Sequence, residues 1–283
     1  MEGDLNDPGR GTLYVVSTPI GHMGDFSFRA VETLQQVSAV LAEDTRHTAN
    51  LMKRYEIGTP LVAHHEHNEA KTTPRLVQRL LNGESLALVS DAGTPLLSDP
   101  GARLVRAAID AGIAVSPIPG ASALLSALVA SGLDVDRFTF YGFLARKGAD
   151  RRSTIDEIVR SRHSSVVYES PNRLGETLAE LANAGAADRA TVVARELTKR
   201  YEETRRGTVS ELAAYYTDAT PRGEIVIVIA GADAGQEAGA SEEQLRARAA
   251  ELRAEGRTTR DIVAALSTEL GVPRNLAYRV AHE

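Results

Sequence analysis

The 283-residue chain contains no cysteine and no tryptophan, and aromatic residues make up only 5% of it. Without cysteine there can be no disulfide, no thiolate nucleophile and no thiolate metal site. Long apolar runs are also missing: nothing reaches the roughly 18 residues that a membrane-spanning helix needs. The N-terminal MEGDLNDPGR is polar and acidic, where a signal peptide is basic and then apolar, so the expectation is a cytoplasmic protein with no membrane part. Excess positive charge is lacking too. With 32 Lys and Arg against 38 Asp and Glu, the net charge is −6. That balance argues against a protein that coats nucleic acid diffusely, but it leaves room for a local basic patch.

What remains is an ordinary soluble composition, 43% hydrophobic and 25% charged, long enough for two α/β domains. Apolar runs at 13–16, 40–42, 61–63, 86–89 and 114–115 read as strands, with helical patterns near 27–37, 46–55, 69–82 and 101–112 between them. This is a βαβ series and predicts a mostly parallel sheet covered on both faces. A second series has strands at 138–141, 165–168, 191–194 and 225–229, with helices near 151–161, 171–184 and 209–216. The predicted organisation is an α/β lobe over 1–118, a second over 119–232, a linker at 233–240 and a helical tail over 241–283. In the tail, Thr258 is a candidate N-cap for a helix whose Ile262, Val263, Leu266 and Leu270 share one face, and Gly271-Val272-Pro273 breaks it before a third helix. The layout resembles helix-turn-helix, yet seven arginines are balanced by seven acidic residues, which favours packing helices over a DNA or RNA reader.

The polar and Gly-rich loops all follow strands, so in the first lobe they share the carboxyl rim of one sheet, where open α/β sheets bind ligands. SDAGTPLLSDPG at 90–101 is the most informative of them. Asp91 can accept from a ribose or an amino group, Gly93 lets a ligand lie against the backbone, and Pro95 and Pro100 stiffen the loop. The other rim segments are Ser17–Asp25, Glu43–Thr48, Pro117–Ala123, Tyr168–Arg173 and Ala194–Lys199, and a cleft between the two rims is the inferred site.

These segments carry a specific resemblance. TPIG (18–21), AEDTRHT (42–48), HNE (67–69), SDAGTP (90–95), DPG (99–101), PGASA (119–123), GFL (142–144), YES (168–170) and ARELTK (194–199) occur in this order, and the chain resembles the ribosomal RNA small subunit methyltransferase I family. One departure is His22, where that family more usually has Asn. The resemblance implies two α/β lobes of the tetrapyrrole-methylase type and 2′-O-methylation of a cytidine in 16S rRNA, with S-adenosylmethionine as methyl donor. It also implies an assembled small ribosomal subunit as partner, and a homodimer. For the donor it implies contacts from Pro19, Ile20, Asp91, Thr94, Ser122, Ala123, Tyr168, Leu197 and Gly223, beside Gly93 as read above. Two alternatives stay open: a small-molecule methylase of the same fold, whose first loop would read GxGxGD rather than STPIGHMGD, and a non-catalytic ribosome-associated RNA-binding module.

Methyl transfer from a sulfonium releases a neutral leaving group, so no metal is expected; a ribose hydroxyl does need a group that orients it or takes its proton. Asp44, Glu169, Glu196 and Lys199 are candidates, and Arg46 and Arg195 suit phosphate. Glu43–His47 and Glu196–Lys199 are expected to face each other across the cleft and to activate the hydroxyl jointly. Asp44 or Thr45 can equally be a helix cap, with Arg46 in an ordinary surface ion pair. His64, His65 and His67, with Glu66 and Glu69, lack a metal-setting spacing and are expected to be a solvated loop. Arg146, Lys147, Arg151 and Arg152 form a basic cluster expected to contact RNA phosphates.

Overall fold

The computed structural model describes residues 9–219, 221–232, 242–269 and 274–282. The first lobe is a five-stranded parallel sheet in the order β3-β2-β4-β1-β5, with β1 Leu13–Val16, β2 Ala39–Ala42, β3 Leu61–Ala63, β4 Leu86–Val89 and β5 Val115–Ile118. Its central β2 and β4 are buried along their whole length, as expected for strands covered on both faces. On one face, α1 (Phe28–Gln36) and α2 (Thr45–Arg54) bury Ala30, Leu34, Leu51 and Met52 against Val16, Val40 and Val89. On the other, α3 (Glu66–Leu81) and α4 (Ala102–Asp110) bury Leu76, Leu80, Leu104 and Ala108 against Leu13, Leu41, Leu86 and Leu88.

The strand order explains where a ligand can enter. From β1 the chain crosses toward β2 on one side, whereas from β4 it crosses toward β5 on the other, although β1 and β4 are hydrogen-bonded neighbours. Their following loops therefore diverge and open a crevice at the carboxyl end of the sheet, the topological switch point. A single bridge pins the mouth of that crevice: the Thr18 N–H donates to the Gly93 carbonyl at 2.9 Å and the Gly93 N–H donates back at 3.1 Å.

The second lobe is also five-stranded but mixed. Its order is β6-β7-β10-β8-β9, with β6 Phe138–Phe143, β7 Ser164–Glu169, β8 Ala190–Arg195, β9 Glu203–Thr208 and β10 Ile225–Ile229. Only β6 and β7 pair in parallel; β7–β10, β10–β8 and β8–β9 are antiparallel. Two features differ from the sequence reading. The strand β9, ETRRGT, has no apolar alternation and owes its conformation to pairing at the sheet edge. The helix α5 (Ala123–Ser131) starts from the rim of the first lobe and covers a face of the second sheet, with Leu124, Ala127 and Leu128 packed on Val166, Val192, Val226 and Val228. The opposite face is covered by α6 (Ala149–Arg160), α7 (Leu174–Leu181) and α8 (Val209–Asp218).

Three tail helices, α9 (Glu242–Ala254), α10 (Thr259–Glu269) and α11 (Arg274–His282), share a core of their own made of Leu245, Leu252, Ile262, Leu266 and Val280. Thr258 caps α10 as expected, accepting from the Asp261 N–H at 3.2 Å and donating its hydroxyl to the Asp261 carboxylate at 2.6 Å. The expected linker at 233–240 and the break at Gly271-Val272-Pro273 lie outside the described residues, as does Leu270. Among the described residues no helix is long and apolar enough to cross a membrane.

Candidate active site

A cavity of about 420 Å³ lies between the lobes, a size suited to a small organic ligand. The first lobe contributes Ile20, Asp91 to Thr94, Leu97 to Asp99, Ser122 and Ala123; the second contributes Phe143, Tyr168 to Pro171 and Gly223 to Val226. Of the residues expected to hold a methyl donor, Ile20, Asp91, Gly93, Thr94, Ser122, Ala123, Tyr168 and Gly223 are in this wall. Pro19 and Leu197 stand behind it: Pro19 is buried and Leu197 packs with the core under α5.

Backbone approach is built in at two glycines. Gly93 has φ +81°, and a Cβ there would sit 3.2 Å from the Ile20 side chain. Gly223 has φ +93°, and a Cβ would collide with the Glu196 carboxylate. Polar groups are tied down around them. The Ser17 and Thr94 hydroxyls are 3.1 Å apart, the Thr94 hydroxyl donates to the Ala121 carbonyl at 3.2 Å, and Ser122 caps α5. The Tyr168 hydroxyl accepts the Leu124 N–H at 3.2 Å, and its ring meets Phe140 and Phe143 edge-on with centroids 4.9 and 5.6 Å apart. Burial raises the Tyr168 pKa above that of an ordinary phenol.

The candidate catalytic side chains fare differently. Asp44 is the N-cap of α2: its Oδ1 accepts from the Arg46 N–H at 2.9 Å, and the Arg46 guanidinium holds its carboxyl down at about 2. The cap and ion-pair reading of this segment is therefore what the structure has, and neither residue lines the cavity. Glu169 reaches the wall, but its carboxylate is fully buried, taking the Ser170 N–H at 2.7 Å, the Thr177 hydroxyl at 2.6 Å and the Arg173 guanidinium at 3.0 Å. Glu196, at φ +50°, accepts from Lys199 Nζ at 3.0 Å and the Glu224 N–H at 3.2 Å. Burial pushes the Glu196 pKa up, but those two bonds outweigh it and leave it lowered; Lys199, by the same pairing, is raised and stays an ammonium at neutral pH.

Two expectations about segments need correction. Glu196–Lys199 does not face Glu43–His47. It packs on the first loop, where the His22 N–H donates to the Thr198 hydroxyl at 3.0 Å and a Cβ at Gly21 would run into Lys199. Glu43 and Asp44 instead sit beside Asp91, which accepts the Asp44 N–H at 3.1 Å; burial and the Asp91 charge raise the Glu43 pKa. The basic cluster is also divided. Arg146, Lys147 and Arg152 are exposed, but Arg151 is buried, donating to Glu180 at 2.7 Å, to the Thr177 hydroxyl at 2.9 Å and to the Ala145 carbonyl at 3.1 Å. A helix-start arginine three residues ahead of Thr154 and four ahead of Ile155 gave no hint in sequence that it turns inward.

The histidine loop is less solvated than expected. His64 is fully buried, with Nδ1 3.0 Å from the Thr72 hydroxyl, and burial lowers its pKa so that the ring is neutral. His22, at the position of departure from the usual Asn, caps a short helical turn by accepting the Gly24 N–H at 3.1 Å, a task an Asn side chain can also perform. Leu97, Asp99 and Pro171 lie in segments that the sequence reading placed at the cleft without singling them out, and Phe143 and Glu224 lie outside those segments; all five are wall residues. The motifs DPG and GFL contain two of them and were the available signal.

The family model for tetrapyrrole (corrin/porphyrin) methylases matches residues 12–213. "Ribosomal RNA small subunit methyltransferase I" of Synechocystis is 45% identical over 96% of this chain and 98% of its own length. The protein of that name from Bacillus subtilis is 40% identical over 96% of this chain and 94% of its own. Among solved structures, the methyltransferase CobJ superposes with a TM-score of 0.60 at 18% identity, covering 78% of this chain and 95% of that one. The uroporphyrin-III C-methyl transferase of Thermus thermophilus, in a complex with S-adenyl homocysteine, gives 0.54 at 18%, covering 77% and 96%. At those identities the structures establish the fold.

Proposed function

The chain belongs to the ribosomal RNA small subunit methyltransferase I family, within the tetrapyrrole methylases, and from that premise we propose that it transfers a methyl group from S-adenosylmethionine to the 2′-hydroxyl of a cytidine in 16S rRNA. The observation that carries the donor assignment is the interlobe cavity itself. Gly93 and Gly223 leave space along the backbone, Ile20, Ala123, Tyr168 and Val226 offer apolar surface to a nucleoside, and Asp91 offers an acceptor. When bound, the donor supplies a methyl on a sulfonium whose leaving group is neutral. Asp91, Thr94, Ser122, Tyr168 and Gly223 would hold it, and closure of the two rims would exclude water.

The acceptor reading draws on the names of the relatives and on the cavity's rim. Phe143 belongs to the wall, and the exposed Arg146 and Lys147 follow within four residues, with exposed Arg152 on the next helix. A protein of net charge −6 relies on such placed cations rather than on a diffuse field. The assembled small subunit as substrate, a homodimer and a cytoplasmic location belong to the same proposal; the exposed Leu125 and Val129 of α5 offer an apolar face for a second copy.

The deciding experiment is methylation of small ribosomal subunits with labelled donor, followed by nucleoside mass analysis. 2′-O-Methylcytidine is the expected product; a methylated base, or transfer only to a tetrapyrrole, rejects the reading. Activity should survive dialysis against EDTA once the particle has its magnesium back. Replacing Arg146, Lys147 and Arg152 together with Glu should lower methylation and flatten its salt dependence while donor affinity is kept. Arg151 stays untouched because its contacts are structural.

A further inference from the structure

Aromatic side chains are few in this chain, yet three of its eight tyrosines meet around a second cavity, of about 450 Å³, in the second lobe. Tyr201 comes from the turn between β8 and β9, Tyr215 and Tyr216 from α8, Arg195 from the end of β8 and Arg222 from the segment leading into β10. The antiparallel pairing of β8 with β9 sets Arg195 opposite Glu203 and closes one side of the space. Tyr216 is buried and meets the Tyr215 ring edge-on, with centroids 4.9 Å apart. Tyr215 and Tyr201 stay 46% and 65% exposed, with Arg205 3.8 Å over the first ring and Arg200 5.6 Å over the second. Exposed rings on a concave wall are surface that a flat ligand can cover.

The charges around these rings do not cancel. Both Glu203 oxygens are taken, by Arg195 Nε at 2.6 Å and Arg205 Nη2 at 2.9 Å, and those bonds hold its carboxyl below the ordinary range. Glu196, also in the wall, is taken by Lys199. Arg195 gives only Nε to Glu203, so its two terminal nitrogens make no hydrogen bond among the described residues, and the exposed Arg222 makes none at all. Flat rings with uncommitted guanidinium groups match a nucleotide: a ring stacks on any base, and a guanidinium fork fits phosphate oxygens. The position matches as well. Gly223 belongs to the wall of the interlobe cavity and the preceding Arg222 to this one, while the Glu196 side chain lines this cavity and lies against Gly223. One thickness of chain separates the two spaces.

We propose that this second cavity is a nucleotide subsite for the RNA substrate, in which a nucleotide flanking the acceptor stacks its base on Tyr201 and Tyr215 and sets its phosphate against Arg195 and Arg222. This rests on the reading that the acceptor is a ribose in RNA. A strand whose acceptor nucleotide enters the interlobe cavity passes over the 222–224 segment, and its neighbour arrives at the tyrosines. Binding there supplies affinity and register: it fixes which nucleotide of the strand reaches the donor, and takes no part in the transfer itself. The cluster of Arg146, Lys147 and Arg152 offers cations, whereas this cavity offers cations and rings together.

Binding of small ribosomal subunits to the labelled enzyme, read by anisotropy with S-adenosylhomocysteine present, and steady-state methylation at saturating donor test the assignment in Tyr201→Ala, Tyr201→Phe and Arg222→Ala, with circular dichroism and sedimentation of the free proteins alongside. Tyr201→Ala should weaken particle binding and raise KM about tenfold, with kcat and S-adenosylhomocysteine affinity within about threefold of the parent's and the salt dependence unchanged. Tyr201→Phe keeps the ring and should stay within about threefold of the parent throughout. Arg222→Ala should weaken binding and lower the slope of log affinity against log salt by about one. Parental particle binding in both Tyr201→Ala and Arg222→Ala overturns the proposal. So does a Tyr201→Phe protein as weak as Tyr201→Ala, which makes the hydroxyl the contact and not the ring. A variant whose free protein sediments differently from the parent makes the cavity an interface with a second copy and overturns it too. A parent that methylates no ribose in the particle fails the acceptor reading instead, and particle binding still judges the cavity: weaker in Tyr201→Ala if it holds a base, equal if it does not.

Discussion

A carboxylate taken wholly out of water must be given donors, and Glu169 is given three, from Ser170, Thr177 and Arg173. Its place in the cavity wall is thereby a matter of support: it fixes the start of α7 under the Tyr168–Pro171 rim. Glu169→Ala strands the Arg173 charge and the Thr177 hydroxyl, and is expected to cost about 3 kcal/mol of unfolding free energy by denaturant titration. Should the variant unfold at the parental midpoint, the buried network contributes nothing. Asp44 carries a pH dependence of its own. Its carboxyl is depressed to about 2 by the Arg46 guanidinium, so its contribution to α2 is present above the unfolded value of 3.8 and is lost as pH falls through about 2. Acid titration of parent and Asp44→Asn should therefore converge below pH 2 and diverge above pH 4.

At the scale of elements, β9 is the piece whose conformation depends on its neighbour. Its Glu203 receives Arg195 at 2.6 Å and Arg205 at 2.9 Å, and Arg205 lies over the Tyr215 ring at 3.8 Å. Charged side chains on an edge strand also discourage pairing with another chain. The strand hands over to α8 through a capping box, in which Thr208 accepts the Glu211 N–H at 3.2 Å and the Glu211 carboxylate accepts the Thr208 N–H at 2.8 Å. Thr208→Ala should cost about 1 kcal/mol, read as a shift in urea midpoint at constant slope; an unmoved midpoint would mean that tertiary packing alone holds the first turn.

For the whole molecule, the cavity exists only because two lobes are held in register. Loop 196–199 of the second lobe lies on Gly21 and His22 of the first, and α5 carries the chain from one rim onto the other sheet. Gly21→Val should wedge this contact open, weakening S-adenosylhomocysteine binding by about tenfold, or roughly 1.4 kcal/mol, with far-ultraviolet circular dichroism unchanged. Parental affinity in that variant would show that the contact does not shape the site. The tail helices have a separate core around Leu252, Ile262 and Leu266. Removal of 233–283 should leave cofactor affinity within twofold of the parent, and a large loss would place the tail in the cleft.

Periodicity was enough to mark most strands and helices, because apolar runs such as IVIVI and LALV are buried on both faces and carry their own signal. Strand-end loops were legible for the same reason: once the βαβ order is known, polar segments after strands must gather at one rim. The antiparallel pairing in the second sheet was not legible, since strand direction depends on which runs become neighbours. Nor was β9, whose residues have no apolar face. The site was legible as loops, and chemical roles within them were not. SDAGTPLLSDPG contains five carboxyl-bearing or hydroxyl-bearing candidates, Ser90, Asp91, Thr94, Ser98 and Asp99, and sequence cannot tell which of them find donors. Asp91 receives the Asp44 N–H from the loop after β2, and Glu224 pairs with Lys199 from the loop after β8; such partners are far away in sequence, and only the tertiary structure brings them to the carboxylate.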